Sequence, residues 1–439
     1  MPRPPSQPSS DPRRKGLRAF AVRSQEVLLL AALVGLLTGL GVAGFDSVVN
    51  RGVDAVERAP LWVTAVAPML GLAVAALCLR FVGKGCTPST ADEYLRAFHD
   101  PDVEIEPRPL IARMMGGIAT LASGAPMGLE GPSLYLGAGI GDLVQRRFPR
   151  LVSARNRRAL LVAGAAAGVA AIFKAPATGA VFALEVPYQD DLARRMLGPA
   201  LVGAASSYLV FVAIHGTAPL VRVTGSPNFS FGDVAAALLL GVFAGFGARA
   251  FAWMLRTAKR IAISYPDWLR VPLAGGVLVG LFVLARVCTG TDVTTGPGYG
   301  TIAWALDPRH GAWLVFAVLL LRLVGTSTAV AGGGVGGLFV PLVVAGALAG
   351  RVTGGAFGML DTTLFTVIGV AAFLGAGYRV PLAAITFVAE VSGRPGFVVP
   401  GLLAAVVADL VMGDRSVTAY QRAATDVAPP PTDQPESPG

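Results

Sequence analysis

Nineteen consecutive positions, Val27 to Phe45, carry no charged side chain. A helix over such a run crosses the hydrocarbon core of a bilayer, which takes about 20 residues. A second run extends from Leu61 to Cys78. Only 14% of the 439 residues are charged and 54% are hydrophobic, whereas a soluble domain carries about 25% charged residues. The chain therefore reads as an all-α, polytopic membrane protein, because only helices and closed barrels satisfy the backbone in lipid. Its 55 glycines suit helices packed through small residues.

The net charge of +9 raises nucleic acid as a partner. However, the basic residues fall in short clusters between apolar spans, the positive-inside pattern, and no folded basic domain is visible. Nucleic-acid binding is not expected. Cys78, Cys86 and Cys288 lack metal or disulfide spacing, and His99, His215 and His310 are scattered. With no ligand cluster, nucleophile triad or phosphate loop, we expect no metal, no cofactor and no enzyme activity.

Residues 1–25 are rich in proline and serine, then basic (Arg13, Arg14, Lys15, Arg18, Arg23). They read as a disordered cytoplasmic arm without a cleavable signal. A transmembrane domain over 26–425 follows, in approximate halves 26–220 and 230–412. An amphipathic cytoplasmic-side helix is expected over 414–424, and 426–439 reads as a disordered tail with no regulatory domain. Arg146, Arg147, Arg150, Arg155, Arg157 and Arg158 mark one cytoplasmic loop. Arg194 with Arg195, and Arg256, Lys259 and Arg260, mark two more. Both termini then lie in the cytoplasm of a multi-pass protein of the cell membrane.

Other spans are irregular. Leu110 to Gly124 carries Arg113, Ala159 to Phe173 is short, and Leu323 to Gly350 is broken by Gly332, Gly333, Gly334, Gly336 and Gly337. Interrupted segments mark helices that stop inside the membrane around a buried site. The sharpest case is Gly124-Ala-Pro-Met-Gly-Leu-Glu130-Gly-Pro132. Glu130 is an ionisable group at membrane depth, rare and usually functional. Gly131-Pro132 reads as a helix start, which aims unpaired N–H groups and a positive dipole end at what precedes it. Burial and that dipole act in opposite senses on the Glu130 proton.

The chain also contains a repeat. The stretch from Gly164 through Pro176, Phe182 and Glu185 to Val186 aligns without a gap on Gly369 through Pro381, Phe387 and Glu390 to Val391. About 40 residues upstream of each proline lies a glycine-rich turn that itself ends in proline, Gly128–Pro132 and Gly336–Pro341. Paired broken helices in two halves point to a midplane site, and inversion of one half is compatible with the pattern.

These residues resemble the CLC chloride channels and proton-coupled chloride antiporters. Gly128-Leu129-Glu130-Gly131-Pro132 is similar to the family's G-[K/R]-E-G-P motif, and Gly337-Leu338-Phe339-Val340-Pro341 to its G-x-F-x-P motif. The resemblance spans roughly residues 25 to 425. It implies a homodimer with one anion pore per subunit, each subunit built from about 18 tilted and partial helices in two inverted repeats. It also implies that Glu130 is the gating, proton-accepting glutamate. Leu338 and Phe339 would hold the anion through backbone N–H groups, their side-chain identity mattering little, with Leu129 and Gly131 at the opposing helix start.

Three departures bear on mechanism. The family's G-S-G-I-P motif is replaced by Gly83-Lys84-Gly85-Cys86-Thr87-Pro88-Ser89. Alignment on the glycines puts Lys84 beside the anion; alignment on the proline puts Gly85 there, with Thr87 or Ser89 supplying a hydroxyl. The alternative for Lys84 is snorkelling to the surface. Val186 stands where antiporters carry a relay glutamate. The inner-gate tyrosine falls near Thr418, with Tyr420 the nearest tyrosine. Glu185 and Glu390 read as structural carboxylates paired with Arg194, Arg195 and Arg394. The function expected is anion transport gated by Glu130, with chloride and protons as ligands and a slight preference for a channel or weakly coupled carrier. Proton/chloride antiport, or selectivity for fluoride or nitrate, are the alternatives within the family. An unrelated inverted-repeat transporter of an organic solute, or a non-transporting scaffold, stand outside it.

Overall fold

The computed structural model describes residues 12–100, 102–148, 157–218, 231–358 and 362–423. They form sixteen α-helices that divide into two sets of eight. The first set is α1 (Pro12–Glu57), α2 (Leu61–Leu77), α3 (Ala91–His99), α4 (Pro107–Ala122), α5 (Glu130–Arg147), α6 (Arg157–Phe173), α7 (Pro176–Glu185) and α8 (Leu197–His215). The second is α9 (Phe231–Ser264), α10 (Asp267–Thr289), α11 (Tyr299–Ala305), α12 (Ala312–Ala331), α13 (Phe339–Ala356), α14 (Thr363–Tyr378), α15 (Pro381–Ser392) and α16 (Val398–Met412). Seven helices are long and apolar enough to cross a membrane. The long run from Leu323 is split between α12 and α13 at the glycine turn, as its composition requires.

The two sets repeat the same packing. Helix α5 lies on α6 as α13 lies on α14, and α1 meets α8 as α9 meets α16. Glycine makes the first of these contacts possible. A Cβ on Gly137 would stand 1.9 Å from the Gly164 carbonyl oxygen, and one on Gly346 would stand 2.3 Å from that of Gly369. Lys174 (φ 53°) and Arg379 (φ 58°), both left-handed, make the same turn before Pro176 and Pro381. Where the two halves meet, Gly128 N–H donates to the Gly337 carbonyl (3.0 Å) and Gly337 N–H donates to the Gly128 carbonyl (2.6 Å). This antiparallel, mutual pairing is what a two-fold relation between the halves produces.

Two boundaries differ from the sequence reading. Residues 12–25 of the basic arm are already helical, as the start of α1; residues 1–11 and the 426–439 tail lie outside the described residues. The amphipathic segment beyond Gly413 is not a helix. Gly413 (φ 63°) ends α16, and neighbouring loops then take the backbone groups that a helix would have paired internally. Asp92 accepts the Ala419 N–H (3.0 Å), while Arg422 exchanges bonds with Pro187 and Gln189.

The packing yields a test. Gly164→Val would drive its side chain into the Gly137 carbonyl, and overpacking of this kind costs about 1–3 kcal/mol or more. Thermal unfolding in detergent should show a large loss for this variant. Gly276→Ala, with no atom within 4 Å of the added Cβ, should keep the wild-type melting temperature or raise it.

Candidate anion and proton site

The mutual Gly128–Gly337 pairing brings the starts of α5 and α13 together. Glu130 is the first residue of α5, is 2% exposed, and crosses to the other half, where Oε1 accepts the Phe339 N–H at 2.5 Å. Glycine is required on both sides of the carboxyl group. A Cβ on Gly128 would lie 1.9 Å from Oε2, and one on Gly337 would lie 2.0 Å from Oε1. Oε2 has no hydrogen-bond partner among the described residues. The second N–H expected to hold an anion is that of Leu338, which lines the same cavity as Tyr378. The Phe339 N–H is thus engaged by an oxygen of the chain itself.

Phe339 is placed by more than its backbone. Its ring lies 4.4 Å from that of Phe173, 5.3 Å from Phe182 and 5.1 Å from Phe387, centroid to centroid. Phe182 and Phe387 are repeat equivalents on the two proline-led helices. The Phe339 ring is thus packed among three aromatic rings beside the N–H that Glu130 occupies.

Cavities approach the site from two directions. One, of about 190 Å³, is lined by Asp92 and Lys259 and reaches Leu338 and Tyr378. The other, of about 510 Å³, is lined by Asp46, Asn50 and Glu57 and reaches Leu129. Leu129 and Leu338 are equivalent positions in the two motifs, so the cavities reach equivalent points in the two halves, and Glu130 with Phe339 stands between them.

The residues expected at the inner mouth are rearranged. Lys84 and Gly85 are exposed, lie in a left-handed turn (φ 53° and 79°), and contribute nothing to the cavity wall. The turn ends the short π-helical segment Cys78–Val82, with Gly85 N–H bonded to the Leu79 carbonyl (2.9 Å), and this aims Lys84 at solvent. Thr87 and Ser89 do line the cavity, but their hydroxyls are committed to Glu93 (3.0 Å) and Asp92 (2.8 Å). Arg113 fixes this segment by donating to the Thr87 carbonyl (2.9 Å) and to the Tyr135 hydroxyl (2.6 Å). Thr90 is left. It is buried, its Oγ1 has no partner among the described residues, and a Cβ on Gly131 would come within 2.6 Å of that oxygen. Sequence reasoning missed Thr90, although Thr90-Ala-Asp-Glu93 is a capping-box pattern before a helix. In the structure Thr90 precedes α3 without capping it, which leaves the hydroxyl for the site.

Tyr420 and Thr418 line the outer part of the same cavity. Tyr420 is 46% exposed, whereas the Thr418 hydroxyl bonds Ser416 (2.9 Å). The tyrosine that lies beside Leu338 and Phe339 is Tyr378, at the end of α14, which is 1% exposed. Its repeat equivalent, Phe173, lacks the hydroxyl, so the repeat alone gave no signal for it.

Among the described residues, no arginine pairs with Glu185 or Glu390. Glu185 accepts the N–H groups of Leu382 (3.0 Å) and Ala383 (2.8 Å) at the start of α15. Glu390 accepts those of Ala177 (2.9 Å) and Thr178 (2.7 Å), with the Thr178 hydroxyl (2.5 Å), at the start of α7. Each carboxylate caps the proline-led helix of the opposite half. Loss of a cap costs about 0.5–2 kcal/mol, and leaving buried N–H groups unpaired adds about 1–3 kcal/mol. Glu390→Ala should therefore lower the melting temperature of the purified protein, and Glu390→Gln, which keeps an acceptor, should lower it less. Equal melting of Glu390→Ala and wild type would remove the cap from the account.

The comparisons with known proteins agree with this geometry. The family described as voltage gated chloride channel matches residues 70–413. The "H(+)/Cl(-) exchange transporter ClcA" of Yersinia pestis bv. Antiqua (strain Angola) is 27% identical, over 88% of this chain and 84% of the relative. The "Putative chloride channel protein ClcB-like" of Ralstonia nicotianae is 30% identical, over 87% of this chain and 92% of that one. Among solved structures, a slow cyanobacterial Cl-/H+ antiporter superposes with a TM-score of 0.79 at 22% identity, over 88% of this chain and 94% of its own. A CLC-type fluoride/proton antiporter gives 0.79 at 23%, over 90% and 98%. At these identities the structures establish the fold. The chain belongs to the voltage gated chloride channel family and is an anion transport protein of the CLC fold.

Proposed function

We propose that this protein exchanges chloride for protons across the cell membrane, with Glu130 as the group that both ions address. The observation that carries the reading is the Glu130 carboxylate on the Phe339 N–H, between two cavities. Ionised, the carboxylate is a tethered anion that competes with chloride for N–H groups at a helix start. Protonated, it loses that attraction, and chloride can take the N–H in its place. One side chain then alternates between holding a proton and holding the anion site. Oε2, which has no partner, is the oxygen open to a proton.

The relatives named as H(+)/Cl(-) exchange transporters favour exchange over the passive channel or weakly coupled carrier that Val186 suggested. Val186 itself is 1% exposed, and its carbonyl accepts from Gln421 (2.9 Å), so no proton passes through its side chain. In this reading the cavity reaching Tyr378 serves both ions on its side. That side is cytoplasmic, because Lys259 lines it at the end of α9, in the cluster with Arg256 and Arg260. Two copies would pair as the resemblance implies, through apolar faces such as that of α16, where Val399, Val406 and Leu410 are exposed.

Reconstituted in liposomes, the wild type should move protons against an imposed chloride gradient, and its reversal potential should depart from the chloride Nernst value. Glu130→Gln should abolish proton movement and keep chloride flux. Its flux should change less than about 2-fold where the wild type changes about 10-fold per pH unit, the limit for a single titrating group. A Glu130→Gln protein that still drives protons would end this assignment.

A further inference from the structure

The wall of the larger cavity carries a group that the reading above does not use. Asp46, Asn50, Val53 and Glu57 recur at helical spacing along α1 and line it, and Asp292 stands opposite. Among the described residues that line it there is no lysine or arginine, and of its carboxylates Asp292 is paired with Arg286 (3.0 Å). An acidic mouth repels chloride and attracts protons, so its carboxylates call for an explanation on the proton side.

Asp46 is the one with a partner suited to that task. Its Oδ2 lies 3.5 Å from Nε2 of His215, at the end of α8. The same nitrogen lies 3.1 Å from the Ser47 hydroxyl oxygen. That hydroxyl already donates its hydrogen to the Ala43 carbonyl (2.8 Å). It must therefore accept from His215, and Nε2 carries the hydrogen. Nδ1, the basic nitrogen of the neutral ring, is buried without a partner among the described residues. The ring stacks on Phe211 at 4.6 Å and 17°. The other groups near Asp46 are Asn50, one turn along α1, and Lys174, beyond the end of α6. Across the cavity, Tyr299 stands within electrostatic reach of both Asp46 and Glu130.

From this arrangement we infer that Asp46 and His215 form a proton-loading pair at the outer mouth, exchanging protons between the external solution and Glu130. This rests on the reading of Glu130 as the proton acceptor. Histidine is the side-chain type that changes charge between about pH 5 and 8. A proton from outside converts the neutral imidazole beside the carboxylate into an imidazolium–carboxylate pair. Asp46, which faces the cavity, takes the Nε2 hydrogen of the imidazolium and passes it to Oε2 of Glu130. This leaves a carboxylate and a neutral ring with its hydrogen on Nδ1, and exchange of that hydrogen for one on Nε2 restores the starting pair. The proton lost by the pair is the proton gained by Glu130.

The test uses full-length protein in liposomes, with external pH varied at fixed internal pH and chloride efflux recorded. Asp46→Asn and His215→Gln should each shift the external-pH midpoint by about one unit, which is about 10-fold in rate at a fixed pH on the flank. Asp46→Glu should restore the wild-type profile. Internal-pH dependence should be unchanged, and in the Glu130→Gln background neither substitution should alter any pH profile. If Asp46→Asn does not fold, His215→Gln decides the matter alone. External-pH profiles that superimpose on wild type overturn the pair. A wild type without external-pH dependence overturns the pair and the reading of Glu130 together.

Discussion

A helix that starts inside a membrane protein presents backbone N–H groups that water cannot reach, and each must find an acceptor. Much of this structure answers that requirement with its own oxygens. Glu185 and Glu390 cap α15 and α7 reciprocally across the two halves, and Glu130 reaches across in the same manner to the start of α13. The difference lies in the symmetry. The proline-led helices have a glutamate in both halves, so both starts are filled by several bonds each. At the glycine turns only the first half has one, because the residue equivalent to Glu130 is Phe339.

That broken symmetry separates two fixed caps from the carboxylate for which we propose the part of a gate. Glu390 holds three bonds and Glu185 two, whereas one oxygen of Glu130 is unpartnered. A free anion can replace the weakly tied carboxylate at lower cost than either of the others. The aromatic rings around Phe339, two of them on the capped helices, pack the residue whose N–H Glu130 occupies. Rigid caps and a movable gate are thus built from the same chemistry, differing in how many bonds each carboxylate makes.

Much of this was legible in the residues. Charge-free runs identified the membrane helices, the register of Gly164–Val186 on Gly369–Val391 identified the repeat, and Gly128–Pro132 located the helix start whose carboxylate crosses to the other half. What failed were inferences about which side chain faces inward at irregular backbone. Lys84 and Gly85 sit in a left-handed turn that points out, and neither spacing nor charge reveals that. Thr90 and Tyr378 enter the site only because elements distant in sequence converge on Leu338 and Gly131. The arginines near Glu185 and Glu390 were neighbours in sequence, but the N–H groups that bind these carboxylates come from the opposite half.

The central claim is that Glu130 and the transported anion compete for the same N–H groups, which makes anion affinity depend on the Glu130 proton. Chloride binding measured at equilibrium by titration calorimetry, across pH, tests this directly. The wild type should bind chloride more tightly as pH falls through the titration of Glu130, and Glu130→Gln should show the low-pH affinity at every pH. A wild-type affinity that does not change with pH, or a Glu130→Gln protein that binds chloride no better than wild type at high pH, would contradict the competition.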